Sequence, residues 1–164
     1  MIGVTQSFVQ WSRFGLRSRN VGSVPRHLAM CPGSGWSAGG HLTAMALDHP
    51  SVRAGLVISG IYELGPIRDT YLNERLKLTD KEVAALSPLR LPGVGKPLAI
   101  SYGTAELPAL VRNSREYHAH RARSHAPGPL IPVPHANHYT IMEELRSPNG
   151  ILARTVVRLM EDSA

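Results

Sequence analysis

The chain has 164 residues, 43% of them apolar and 18% charged, with 15 glycines and 13 prolines. This is the profile of one folded globular domain and excludes disorder along the whole length or a collagen-like repeat. The net charge of +6 raises nucleic-acid binding, but the basic residues are scattered. Arg13, Arg17, Arg19 and Arg26 lie in an acid-free start that has no amphipathic period, and Arg112, Arg115, Arg121 and Arg123 fall on one predicted helix. With 5% aromatic residues there is no base-stacking platform, so a solvated basic face is expected and no nucleic-acid partner.

No stretch reaches the ~18–20 apolar residues of a membrane-spanning helix, and the first residues lack a secretory signal pattern. The single cysteine, Cys31, agrees with a reducing compartment. The expected location is cytoplasmic, with no membrane partner.

Short apolar runs alternate with helical patterns, the signature of strand-helix-strand units and a mainly parallel sheet in an α/β/α arrangement. Residues 27–31 are a strand candidate, followed by a turn at Pro32-Gly33-Ser34-Gly35 and a helix over about 37–48. The run 54–59, Ala-Gly-Leu-Val-Ile-Ser, reads as a strand buried on both faces. Residues 60–95 are too long for a plain connection and should hold short helices that cover something, a lid-like insertion. Residues 97–102 and 130–133 complete a set of about four strands, and helices fit 107–123 and 149–161. A domain over 25–164 follows, preceded by an atypical segment, 1–24.

The stretch Gly35-Trp36-Ser37-Ala38-Gly39-Gly40-His41 satisfies Gly-x-Ser-x-Gly between a strand and a helix. A serine on such a sharp turn needs small neighbours, which Gly35 and Gly39 supply. The turn puts the Ser37 hydroxyl at a helix N-terminus, where the Ala38 backbone N–H can donate to an oxyanion. A glycine-rich loop and a phosphate-cradling helix N-terminus are the other readings, but the Lys-Ser/Thr pair of a P-loop and an acidic ribose ligand are both missing.

A nucleophilic serine needs a base and an orienting acid, in the chain order Ser, acid, His. Of the eight histidines, His27 precedes Ser37, and His41 and His49 are too near it. His118, His120 and His125 are expected at the surface. His135 and His138 lie in the loop after the last strand. His138 is preferred, being deeper and followed by an apolar segment, Tyr139-Thr140-Ile141-Met142, that would anchor it; His135 is the alternative. The first carboxylate after the strand 97–102 is Glu106, whose alternative role is to favour the dipole of the helix that follows. The histidine spacing offers no metal pair, so neither a metal nor a cofactor is expected.

These segments resemble the serine hydrolases of the α/β-hydrolase fold, and within them the esterase branch that includes the kynurenine formamidases (arylformamidases). The resemblance is carried by the stretch from Gly35 to Leu42, by Ser59-Gly60-Ile61-Tyr62-Glu63-Leu64 with Tyr71-Leu72-Asn73 and Ser87-Pro88, by Ala105-Glu106-Leu107-Pro108 with Asn113-Ser114-Arg115-Glu116-Tyr117, and by the run from Asn137 to Leu145. It implies Ser37 as nucleophile, Glu106 as acid (the family more often has Asp), His138 as base, and a small ester or aryl formamide such as N-formylkynurenine as substrate, cleaved through an acyl-enzyme. The family's fold carries further strands ahead of the elbow and a His-Gly-Gly loop that donates a second oxyanion N–H. Nothing over 1–34 resembles that loop, so the chain is expected to be the C-terminal portion of the fold. The alternative expectation is a catalytically impaired fragment that acts by pairing through an open sheet edge, with homo-oligomers as the consequence.

Overall fold

The computed structural model describes residues 32–162. The predicted strand over 27–31, Cys31 and the segment 1–24 lie outside the described residues. In chain order the elements are β1 (Gly33–Trp36), α1 (Ala38–Ala46), β2 (Gly55–Ile58), α2 (Gly65–Arg68), α3 (Asn73–Leu76), α4 (Asp80–Leu86), a 3-10 turn (Pro88–Arg90), β3 (Leu98–Gly103), α5 (Pro108–Arg123), β4 (Leu130–Val133), a 3-10 segment (Thr140–Leu145) and α6 (Ile151–Glu161).

The four strands form one parallel sheet in the order β1-β2-β3-β4, with Trp36 opposite Ile58 and Ile58 opposite Ser101. Parallel strands need covered faces, and the side chains divide accordingly. Leu56, Ile58 and Ala99 join Ile141, Leu152 and Leu159 on the α6 face, while Val57, Leu98 and Ile100 meet Ala44, Leu47 and Tyr117 of α1 and α5 on the other. This is the expected three-layer α/β/α arrangement.

Gly33, Ser34 and Gly35, read as a turn, belong to β1, because pairing with β2 and the close passage of α1 override the local turn preference of glycine and serine.

Residues 60–95 hold three short helices and the 3-10 turn. They form a satellite cluster of Leu64, Leu76, Leu78, Val83 and Leu86 that also meets Met45 of α1. Thr79 starts α4 with a reciprocal capping box to Glu82, which satisfies two N–H groups that the helix start would leave unpaired. The segment is tied down at both ends: Asn113 Oδ1 accepts the Tyr62 N–H at 2.6 Å, and Leu86 O accepts from His41 Nε2 at 2.7 Å.

Candidate active site

Three loops at the carboxyl ends of the strands bring Ser37, Glu106 and His138 together. Ser37 sits between β1 and α1 with φ 55° and ψ −117°, a conformation that side chains other than glycine rarely adopt. Its N–H is fixed to Ile58 O at 2.9 Å. The turn is tight because a Cβ on Gly35 would stand 2.1 Å from Gly39 O, and one on Gly40 would stand 3.0 Å from Gly60 Cα. A Cβ on Gly39 would meet nothing within 4 Å. The steric demand therefore falls on Gly35 and Gly40, which corrects the role expected of Gly39. Ala38 opens α1, so its N–H has no intrahelical acceptor and is available beside the Ser37 hydroxyl.

His138 Nε2 lies 3.1 Å from Ser37 Oγ across a sequence separation of 101 residues. Several contacts hold the histidine there. Trp36 Nε1 donates to His138 O at 2.8 Å, and the Trp36 and His138 rings pack with centroids 5.0 Å apart. Asn137 Oδ1 accepts from the Tyr139 and Thr140 N–H groups at 2.9 and 3.0 Å. Ile141 is fully buried and anchors the segment as expected. His135 is exposed, and the bond it makes is by its backbone to Thr104 Oγ1.

Glu106 Oε1 lies 3.6 Å from His138 Nδ1, and the glutamate side chain is fully buried. That separation is a close ionic approach, longer than a hydrogen bond. Glu106 does not cap α5: the cap residue is Leu107, and α5 has no side-chain cap. The carboxylate turns inward instead, where Ser59 Oγ donates to Oε1. Ser59 belongs to the site although the sequence marks it as the end of an apolar run and the start of a segment that carries the resemblance, with no role of its own. A cavity of about 420 Å³ opens beside Glu106, lined by residues of 104–116 such as Thr104, Val111, Arg112 and Arg115 rather than by 60–95.

The remaining histidines have other work. His41 is fully buried, and burial pulls its pKa down to about 4 against the opposing effect of its bond to Leu86 O. His118 and His120, expected at the surface, are half-buried and bonded to Gly128 O at 3.3 Å and Leu91 O at 2.9 Å. Arg121, expected on the solvated basic face, is buried and donates to the carbonyls of Val94, Lys96 and Pro127. Each is drawn inward because α5 passes the loops that precede β3 and β4, whose carbonyls need donors. Among the described residues no cluster of three or more His, Cys, Asp or Glu side chains is arranged to hold a metal ion, and no helix is long and apolar enough to cross a membrane.

The chain is 30% identical over 146 residues to the kynurenine formamidase of Salmo salar and 29% identical over 144 residues to that of Danio rerio, covering in both cases 79% of this chain and 49% of the relative. It thus spans about half the length of the curated relatives it matches. No protein-family model matches. Among solved structures, a Silicibacter protein described as a thioesterase superposes with a TM-score of 0.66 at 22% identity, covering 94% of this chain and 57% of that one. A Thermogutta terrifontis esterase with propionate bound gives 0.60 at 21%, covering 97% and 64%.

Proposed function

We propose that this chain, which has the α/β-hydrolase fold and is similar to the kynurenine formamidases, carries a serine hydrolase site for carboxylic esters or aryl formamides. The observation that supports this best is the contact of His138 Nε2 with Ser37 Oγ at 3.1 Å, made by a serine held at φ 55°. A strained serine in reach of an imidazole is the arrangement that turns a weak nucleophile into a strong one.

In the proposed reaction His138 takes the proton of Ser37 Oγ as the oxygen attacks the substrate carbonyl. The Ala38 N–H donates to the developing oxyanion, and Glu106 steadies the imidazolium as its Nδ1–H closes on Oε1. His138 then gives the proton to the departing arylamine or alcohol, leaving an acyl or formyl ester on Ser37. Water, deprotonated by the same imidazole, releases the acid and regenerates the hydroxyl. The relatives' name makes an aryl formamide of the N-formylkynurenine kind the first substrate to try, with small aryl esters second. Hydrolysis of both substrates by the purified chain and by Ser37→Ala is the test: turnover in the first and none in the second supports the mechanism, and equal rates refute it.

The other reading, a fragment that acts by edge pairing, is favoured by β1, which among the described residues is bonded to β2 alone. Sedimentation separates the two, since an active monomer refutes edge pairing.

A further inference from the structure

Ser37 and Ser59 occupy equivalent places: each follows the last residue of a strand, β1 and β2 respectively, and each adopts a positive φ, 55° and 50°. For a residue with a Cβ such a backbone needs compensation. At Ser37 the turn exposes a hydroxyl, whereas Ser59 is fully buried. Its N–H is tied to Ser101 O at 2.8 Å, which fixes the backbone, and its Oγ donates to Glu106 Oε1. That oxygen is also the one His138 Nδ1 faces at 3.6 Å, while Glu106 Oε2 is buried with no hydrogen-bond partner.

Among the described residues Ser59 Oγ is thus the group that anchors the Glu106 carboxylate, and it does so through the oxygen the histidine needs. A glutamate has one more rotatable bond than an aspartate and can swing away from an imidazole that is not yet within hydrogen-bond distance. We infer that Ser59 is a positioning residue for the proposed serine hydrolase reaction: its hydroxyl holds Glu106 Oε1 in line with His138 Nδ1, so that the imidazolium meets a carboxylate already in place. The inference rests on the hydrolase reading given above. It goes beyond that reading in assigning to the site a fourth side chain, from the turn after β2.

The experiment uses p-nitrophenyl acetate and the full chain, with the Ser37→Ala, Ser59→Ala, Ser59→Gly and Glu106→Gln variants and the Ser59→Ala/Glu106→Gln double variant. Loss of a hydrogen bond to a charged group predicts that both Ser59 variants lower kcat about 10–100-fold, with KM unchanged and melting temperatures confirming the fold. Glycine suits a φ of 50° better than serine does, so Ser59→Gly also covers the case in which Ser59→Ala fails to fold. In the Glu106→Gln background the loss of Ser59 Oγ should change the rate little, because the carboxylate it positions is gone. Recovery of wild-type kcat in Ser59→Gly, or an undiminished effect of Ser59→Ala in the Glu106→Gln background, overturns the inference and leaves the hydrolase reading intact. A wild-type rate no greater than that of Ser37→Ala overturns the hydrolase reading and this inference with it.

Discussion

Replacing Ser37 by glycine should stabilise the fold relative to replacing it by alanine. Both variants remove Oγ and its contact with His138 Nε2, so that loss cancels between them. What differs is the backbone. At φ 55° and ψ −117° an alanine keeps the strain of a side chain in a region suited to glycine, a cost of about 1–3 kcal/mol. Glycine removes that cost but adds about 0.5–1 kcal/mol of unfolded-state entropy. Midway through these ranges, about 2 kcal/mol of strain against about 0.75 kcal/mol of entropy leaves Ser37→Gly more stable than Ser37→Ala by about 1.3 kcal/mol, or about 3–5 °C in melting temperature for a domain of this size. Thermal unfolding followed by circular dichroism measures it. A Ser37→Gly variant that melts at or below Ser37→Ala would refute the claim that the turn stores strain to present the hydroxyl.

Further outcomes follow from the same geometry. Gly35→Ala would drive a Cβ to 2.1 Å from Gly39 O and should abolish soluble expression, whereas Gly39→Ala, with nothing within 4 Å of its Cβ, should gain up to about 1 kcal/mol of helix stability by urea titration. Burial lowers the folded pKa of His41 from 6.5 to about 4, so the unfolded chain binds more protons between these values. The contribution of neutral His41 is complete above about pH 6.5 and is lost as the pH falls toward 4, by up to about 3 kcal/mol; urea titrations at pH 5 and 7 should show a smaller difference in His41→Gln than in wild type. Trp36→Phe keeps an aromatic ring but loses the indole N–H that bonds to His138 O, and should lower kcat about 3–10-fold with little change in KM.

Much of the architecture can be read from the sequence because buried parallel strands have a strong signature. Residues 54–59 and 97–102 are continuous apolar runs, and both are strands. β1 lacks that signature: its glycines read locally as a turn, whereas Gly35 is needed because α1 passes so close that a Cβ there would stand 2.1 Å from Gly39 O, and pairing with β2 makes the segment a strand. The meeting of Ser37, Glu106 and His138 is legible because parallel strands deliver their following loops to one edge of the sheet. Ser59 is not, since a serine at a strand end carries no mark of its φ or of the carboxylate it will face. Arg121 and His120 are hidden for a related reason, as their carbonyl partners come from loops distant in sequence.

The central claim, that Ser37 is a nucleophile activated by His138, is tested most directly by covalent trapping. The chain and its His138→Ala variant are treated with a fluorophosphonate probe, and the modified residue is located by peptide mass spectrometry. The account predicts one adduct, on Ser37, formed in the wild type at least about 100-fold faster than in His138→Ala. An adduct on another residue, none at all, or equal labelling in the variant would contradict it.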